Sequence, residues 1–222
     1  MEQRSPSVAL THDHEVELVH WLRDVGQLIK SVNSYCRAGQ VAANEILQLE
    51  RPDDLARNRE RAVATVLFAD IVGSTEKAAQ LGDAAWRDLL AEFQRRAASM
   101  LDRFHGCLVD TSGDGLFAVF NGPTCAVRCA LAVCAESGAL GLRTRAGVHV
   151  GEVEQLGRKV GGIAVHIGAR IMSMAAGGEV LVSSTVKDIA AGSGLRFEDR
   201  GTHVLKGVPD EWRLHLACGT QN

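Results

Sequence analysis

Two aspartates stand at places in this sequence where a charged side chain is energetically unfavourable. Asp70 ends the apolar, β-branched run Val63–Ala69, and the small residues Gly73-Ser74-Thr75 follow shortly after it. Such a run is typical of a buried strand that brings one charged group to the edge of a sheet. Asp114 lies between two glycines at the centre of Cys107–Phe120. Apolar segments on both sides of that Gly-Asp-Gly predict a β-hairpin.

Carboxylates at the ends of two neighbouring strands would suit a divalent metal site. Mg²⁺ and Mn²⁺ prefer oxygen ligands and keep positions open for water and phosphate oxygens. Two such ions that share carboxylates can activate an attacking hydroxyl and hold leaving phosphates. Gly73-Ser74-Thr75 would add a turn and a helix N-terminus, whose N–H groups can bind a polyphosphate. The structural alternative is that Asp70 caps a helix and Asp114 stabilises a turn, because Gly-Asp-Gly is common in hairpins.

The composition is typical of a globular protein and argues against polyanionic partners. The chain has 222 residues, of which 46% are hydrophobic and 23% charged, with a net charge of -3. This length suffices for one core plus an appendage. An acidic chain offers no cationic surface for nucleic acid, and we find neither an apolar membrane span nor a leader segment. We therefore expect a cytoplasmic protein with no nucleic-acid and no membrane partner.

The cysteines support the same compartment. The chain has six cysteines without paired Cys-x-x-Cys spacing, and three of them fall in one apolar helical segment. This pattern favours buried, reduced thiols over zinc ligands or disulfides.

The region 1–60 is predicted to form helices separate from the rest of the chain. Its apolar residues recur alternately four and three positions apart, at Leu18, Leu22, Val25, Ile29 and Val32. This spacing fits either a dimerisation helix or an amphipathic helix packed on its own domain. A second short helix is predicted over Val41–Leu49, before Pro52. The region could serve dimerisation or regulation.

The remaining elements predict an α+β fold with a ferredoxin-like βαββαβ core. The core consists of strand Val63–Asp70, helices to Leu81 and from Ala84 to about Phe104, the hairpin Cys107–Phe120, a helix from Pro123 to Ala135 and strand Leu142–Val150. A C-terminal extension follows. It consists of a short strand Glu152–Gln155, a helix Gly161–Ala176, strand Glu179–Val182, a helix Thr185–Ala191, and strands near Leu195–Glu198, Thr202–Leu205 and Trp212–Ala217. This domain would cover residues 61–218, with a tail at 219–222.

Five motifs occur in an order that resembles the class III nucleotide cyclase catalytic domain. They are FADIVGST at 68–75, SGDG at 112–115, RAGVHVGE at 145–152, VGGIAVHIGARI at 160–171 and LKGV at 205–208. The resemblance covers about Ala62–Ala217. It implies a lyase that converts a purine nucleoside triphosphate to the 3′,5′-cyclic monophosphate and pyrophosphate, with two Mg²⁺ or Mn²⁺ ions per site. In that family the site lies between two copies of the chain, so a homodimer is implied and a lone chain would be inactive.

The resemblance also assigns a role to each matching position. Asp70 and Asp114 would bind the metals, with the main-chain carbonyl of Ile71 as an additional ligand. Arg170 would stabilise charge that develops on the α-phosphate, and His166 would replace the asparagine that usually contacts the ribose in this family. The triphosphate contacts would fall on the amides of Val72, Gly73, Ser74 and Thr75 and on the side chains of Arg145 and Lys206.

Two further positions leave the choice of purine open. Asp110 stands where adenylate cyclases typically carry lysine, and Lys159 stands where they typically carry aspartate. Adenine offers an acceptor at N1 and a donor at N6, whereas guanine offers donors at N1 and N2 and an acceptor at O6. The exchanged charges therefore match the hydrogen-bond donors and acceptor of guanine. Guanylate cyclases, however, usually carry a longer acid at the first position and a small residue at the second. A pair between Asp110 and Lys159 that reads no base is the alternative.

ATP, the usual substrate of the family, remains the first choice, and GTP is the alternative. A degenerate cyclase of low activity, which serves as a nucleotide-binding and dimerisation module, would carry the same motifs. A ferredoxin-like RNA-binding domain is disfavoured, because the strands lack a pair of stacking aromatics beside basic residues.

Overall fold

The structure, a computed structural model, describes residues 60–156 and 159–220. The strands are β1 (Glu60–Ile71), β2 (Cys107–Ser112), β3 (Gly115–Phe120), β4 (Thr144–Leu156), β5 (Lys159–Gly161), β6 (Val180–Ser183), β7 (Leu195–Val204) and β8 (Glu211–Thr220). The helices are α1 (Ser74–Leu81), α2 (Asp83–Arg103), α3 (Pro123–Ala139), α4 (Ile163–Met174) and α5 (Ser184–Ile189). The predicted N-terminal helices lie outside the described residues.

One sheet contains every strand of the described residues. Its order is β2-β3-β1-β4-β6-β8-β7, with β5 paired to β4. β1 pairs antiparallel with β3 on one side and with β4 on the other, which is the arrangement of the split βαβ core. β4 pairs parallel with β6, where the C-terminal extension begins. The predicted α+β fold with a ferredoxin-like core and a C-terminal extension is confirmed.

The larger core lies between one face of this sheet and helices α2 and α3. Leu67, Ala69 and Ile71 of β1 are buried in it, together with Phe93 from α2. Successive residues of a strand face opposite sides of the sheet. Residues 66, 68 and 70 of β1 therefore face the other side, which α4 covers. Asp70 lies on that second face.

Helix α4 approaches the sheet closely because glycines remove side chains from both surfaces. A Cβ built on Gly147 of β4 would overlap the backbone nitrogen of Met172 in α4. A Cβ on Gly168 of α4 would lie 2.7 Å from the Val66 side chain, well inside van der Waals contact. Main chain thus rests almost on main chain, which fixes the position of α4 along β1 and β4.

The boundary predicted near Gly151 is wrong. The sequence predicted one strand to Val150 and a second over Glu152–Gln155, but β4 runs unbroken over Thr144–Leu156. It pairs with β1 along the whole length of β1, which holds it extended. Gly151 marks a close approach to α4, because a Cβ there would lie 2.8 Å from that of Ala164.

The strands predicted near Leu195–Glu198 and Thr202–Leu205 are likewise one strand, β7. The break expected between them is a register shift against β8 between Asp199 and Thr202. Such an irregularity lets a strand absorb unpaired residues without ending.

The prediction of buried thiols holds for only part of the cysteines. Cys129 of α3 is buried, and this burial raises the pKa of its thiol to about 12. Cys107 and Cys125 are exposed, so the prediction is wrong for them. The five cysteines of the described residues are all free.

Within residues 60–156 and 159–220, no helix is both long and apolar enough to cross a membrane. The 21-residue helix α2 has the length, but acidic and basic residues recur along it.

Gly147→Ala tests the close approach of α4. We expect it to lower the free energy of unfolding by about 3 kcal/mol, because the new methyl group meets backbone atoms that move only if α4 moves. Gly138→Ala is the matched control, since it lies in α3 with open space around it. It should be neutral or stabilising by up to about 1 kcal/mol. Urea denaturation of both variants gives the measurement, and equal midpoints would contradict the packing.

Candidate active site

Asp70 lies where β1 ends, on the face of the sheet that α4 covers. It stands opposite Gly115 of β3 on one side and Arg145 of β4 on the other. Residues directly opposite each other in an antiparallel pair share a face. Arg145 Nη2 accordingly donates a hydrogen bond to Asp70 Oδ2 at 2.9 Å, with the two side chains 30% and 23% exposed. The strand register therefore places a permanently charged guanidinium on the carboxylate.

Asp114 lies in the turn between β2 and β3, next to Gly115, the residue that pairs with Asp70. Gly113 precedes it with a φ of 60°, a left-handed conformation that favours glycine. A Cβ at Gly115 would lie 3.8 Å from Asp70 Oδ1, so the absence of one leaves that side of the carboxylate open. The two predicted metal ligands thus occur at adjacent strand ends, and both are half-buried.

The donor set at this strand end fits Mg²⁺ or Mn²⁺. Asp70 and Asp114 supply hard oxygen atoms, and the Ile71 carbonyl follows directly in the chain. Across the described residues, no group of three or more His, Cys, Asp or Glu side chains is placed to hold a metal ion. Mg²⁺ prefers octahedral coordination, so water or substrate oxygens would have to complete a shell that these two carboxylates and one carbonyl begin.

The segment after Asp70 has the geometry of a phosphate-binding turn. Gly73 caps α1 with a φ of 71°, again in the left-handed region. Ser74 and Thr75 are the first residues of α1, and amides at these positions have no partner within a helix. Val72 differs, because its N–H donates to the Arg143 carbonyl at 2.8 Å. The N–H groups of residues 73–75 are therefore better placed than that of Val72 to bind phosphate.

Arg145 makes only partial use of its donors. Besides Asp70, its Nη1 reaches the Ser173 carbonyl in α4 at 3.5 Å, at the long limit for a hydrogen bond. Its Nε is buried and has no hydrogen-bond partner within the described part of the chain. A buried donor left unpaired costs about 1–3 kcal/mol. The side chain is held in place by one good ion pair.

Gln94 makes a contact with the Asp114 turn that the sequence does not predict. This residue lies on α2, and its Nε2 donates to the Gly113 carbonyl in the turn that carries Asp114, at 3.0 Å. The bond joins two elements that are 19 residues apart. No local pattern signals such a contact, because a glutamine on an exposed helix face is ordinary.

Arg170 and His166 lie on the outer side of α4 and are both exposed. The opposite side of this helix packs on the sheet through Ala164, Ile167, Gly168 and Ile171. Among the described residues, neither the Arg170 nor the His166 side chain forms an ion pair or hydrogen bond, although Ser173 Oγ donates to the Arg170 carbonyl at 2.7 Å. The single chain leaves these two side chains facing away from the sheet that carries the aspartates.

The positions predicted to read the base and the remaining predicted phosphate position lie on other elements of the fold. Asp110 is exposed on β2 and pairs opposite Phe117, so it shares the sheet face of Asp70. The Phe117 ring stacks on that of Phe68, with centroids 4.4 Å apart. Lys159 begins β5, and its side chain lies outside the described residues. Lys206 is exposed in the β7–β8 connection.

His149, the histidine of the RAGVHVGE motif, is a packing residue in this structure. It is 4% exposed, its Nδ1 lies 2.9 Å from Ser183 Oγ, and its ring meets Trp212 edge-on. Burial lowers its pKa to about 4. A neutral imidazole at this position joins β4 to β6. It shares the sheet face of Arg145, but it pairs opposite Val66, four residues before Asp70 on β1.

Residues 57–217 match the family model described as the adenylate and guanylate cyclase catalytic domain. The chain belongs to this family. The match spans all five motifs and both aspartates, so the motif order identified from sequence is that of a class III cyclase catalytic domain.

Solved structures show the same fold for this cyclase domain. The adenylyl cyclase CyaB from P. aeruginosa aligns with a TM-score of 0.70 at 20% identity, over 74% of this chain and 98% of that one. The guanylyl cyclase Cya2 aligns with a TM-score of 0.63 at 25% identity, over 74% of this chain and 95% of that one. The neighbours thus include an adenylyl cyclase and a guanylyl cyclase.

A curated relative with an uncharacterised function is also similar to this cyclase domain. A Mycobacterium tuberculosis protein is 26% identical over 196 residues, which cover 83% of this chain and 50% of that protein. The chain therefore spans about half the length of this relative.

Gln94→Ala tests how the Asp114 turn of the cyclase domain is held. Loss of one exposed hydrogen bond is expected to cost about 1 kcal/mol locally, so amides at 113–115 should exchange about fivefold faster. Ser99→Ala, an exposed change on the same helix, should leave that exchange unaltered. Hydrogen exchange read by NMR gives both rates. Unchanged protection in Gln94→Ala would show that the turn is held without this contact.

Proposed function

We propose that this domain is a homodimeric cyclase that converts ATP to 3′,5′-cyclic AMP and pyrophosphate with two Mg²⁺ or Mn²⁺ ions per site. The observation that supports this most directly is the separation of two residue sets within one chain. Asp70, Asp114 and Arg145 cluster where β1 ends, whereas His166 and Arg170 face outward from α4. One chain therefore offers two incomplete half-sites, and a second copy would complete both.

The exposed position of Arg170 is what such an assembly requires. Its guanidinium is permanently charged and makes no ion pair within the described residues. It could therefore bind a substrate held by the partner copy without first breaking an ion pair. A charge contributed only when the transition state forms raises turnover more than it raises substrate affinity. Exposed His166, four residues earlier on the same helix, would be presented to the same partner site.

Different groups of the chain would bind different parts of the substrate. The N–H groups of Gly73, Ser74 and Thr75 would bind phosphate oxygens at the start of α1, and Arg145 and Lys206 would neutralise phosphate charge. Metal ions held by Asp70, Asp114 and the Ile71 carbonyl would supply electrostatic activation of the 3′-hydroxyl and of the leaving pyrophosphate. His166 would donate to the ribose, and Arg170 would stabilise charge on the α-phosphate.

GTP is the alternative substrate, and Asp110 is the residue that favours it. Its carboxylate is exposed on the sheet face of Asp70, where it is available to accept from the N1 and N2 donors of guanine. Similarity does not decide the matter, because an adenylyl cyclase and a guanylyl cyclase both share the fold. A degenerate cyclase of low activity, which acts as a nucleotide-binding and dimerisation module, is the remaining alternative.

The deciding experiment incubates the purified full chain with Mn²⁺ and either ATP or GTP and measures the cyclic product by mass spectrometry. Cyclic AMP as the main product supports the proposal, whereas cyclic GMP supports the alternative substrate. Metal-dependent nucleotide binding without either product would contradict the proposed enzyme and support a nucleotide-binding module.

Mixing two inactive variants tests the shared site. Asp114→Asn should abolish metal-dependent turnover, and Arg170→Ala should reduce it at least 100-fold, by analogy with the loss of a group that acts on transition-state charge. In a mixed dimer one site carries both defects and the other carries none. Random exchange should therefore restore about a quarter of the wild-type activity.

Each variant alone, refolded in the same way, is the control for this complementation. Turnover that stays at the level of the separate variants would contradict a site shared between copies. Full activity in Asp114→Asn alone would contradict the metal assignment.

The exchange Asp110→Lys with Lys159→Asp tests how the purine is read. It restores the charges typical of adenylate cyclases, so the ratio of ATP to GTP turnover should rise by about tenfold or more, the effect of re-pairing one or two base-edge hydrogen bonds. The single change Asp110→Asn separates charge from shape. A constant ratio in the double variant would mean that neither residue contacts the base.

A further inference from the structure

Arg145 stands on the carboxylate that the proposed function needs for metal. Its Nη2 donates to Asp70 Oδ2 at 2.9 Å, and the register of β4 against β1 sets this contact. A guanidinium and a divalent cation compete for the same oxygen atoms, and their like charges repel at such short range. Metal binding at Asp70 is therefore opposed by a group of the chain itself.

The remaining contacts of Arg145 suggest that it can exchange partners. Its Nε is buried without a hydrogen-bond partner within the described residues, and its bond to the Ser173 carbonyl is long, at 3.5 Å. A guanidinium has five N–H donors in a planar fork that matches phosphate oxygens. A triphosphate bound at Gly73-Ser74-Thr75 would offer those donors better acceptors than they have now.

We propose that Arg145 blocks the metal site at Asp70 until a triphosphate draws its guanidinium away, so that substrate and metal bind cooperatively. This inference rests on the proposed function, because it assumes a triphosphate at the end of β1. In the free protein the ion pair keeps Asp70 neutralised and its metal affinity low. When the triphosphate binds, the guanidinium moves to phosphate and the freed carboxylate takes the metal. By reciprocity the metal strengthens triphosphate binding by the same factor.

Mn²⁺ binding to the nucleotide-free full chain tests this exchange without any turnover. The free Mn²⁺ signal in electron paramagnetic resonance gives the affinity directly. We expect Arg145→Gln to bind Mn²⁺ about tenfold more tightly than the wild type, since the competing charge is gone. Arg145→Lys keeps the charge and should stay within about twofold of the wild type.

Arg143→Gln is the matched control. It removes one positive charge two residues away, from an exposed side chain that makes no ion pair among the described residues. Its Mn²⁺ affinity should equal that of the wild type. An equal increase in Arg143→Gln and Arg145→Gln would reduce the effect to net charge and overturn the proposal. Equal affinities in the wild type and Arg145→Gln, or no binding in either, would also overturn it.

A measurement on the unmutated chain covers the case in which Arg145→Gln does not fold. The ¹⁵N signal of Arg145 Nε should stay in place when Mg²⁺ alone is added and should shift when inorganic triphosphate is added with it. A shift with Mg²⁺ alone, or none with triphosphate, would overturn the exchange of partners. If the chain forms cyclic product but Arg145→Gln does not bind Mn²⁺ more tightly than the wild type, only this inference is overturned. If Arg145→Gln binds Mn²⁺ more tightly but the chain forms no cyclic product, only the proposed function is overturned.

Discussion

A carboxylate at the end of a central strand, held by an arginine of the adjacent strand, is the interaction on which this site depends. Asp70 follows a run of apolar residues, and β1 is paired on both sides, so the charge can only emerge where the strand ends. An unpaired charge at a half-buried position is strongly unfavourable. The Arg145 guanidinium removes that penalty and lets the fold keep an acid at the edge of its own core. The chemistry proposed for the domain uses the same acid.

The second constraint is the close docking of α4. Gly147, Gly151 and Gly168 remove the side chains that would hold this helix away from the sheet. The buried residues of α4 then face the sheet, which leaves Arg170 and His166 on the outside. Their exposure is therefore a consequence of how the helix is packed, and an interface with a second copy would use it.

Local patterns predicted most of the fold. The run that ends at Asp70, the glycines around Asp114 and the periodic spacing of Phe93 and Ala97 each determine their element within a few residues, and the structure has a strand, a hairpin and a helix there. Gly151 is the exception, because the sequence does not distinguish a glycine that permits close helix packing from one that permits a turn.

What local patterns could not predict are contacts between distant parts of the chain. The Asp70–Arg145 pair joins residues 75 apart in sequence, and the Gln94–Gly113 bond depends on where α2 lies above the turn. Both follow from strand register and helix placement, which are decided by the whole fold. The roles of Asp110 and Lys159 stay predictions, as do those of the residues before position 60.

The two edges of the sheet differ in a way that bears on solution behaviour. Strand β7, at one edge, carries Arg196, Glu198, Asp199 and Arg200, whereas β2, at the other, carries a single charge, Asp110, beside the exposed Leu108. Charged side chains along an edge strand discourage edge-to-edge pairing between molecules, and a strand with a single charge opposes it less. At high concentration the described domain would therefore self-associate along the β2 side, and salt, which screens charge but not apolar contact, would not prevent it.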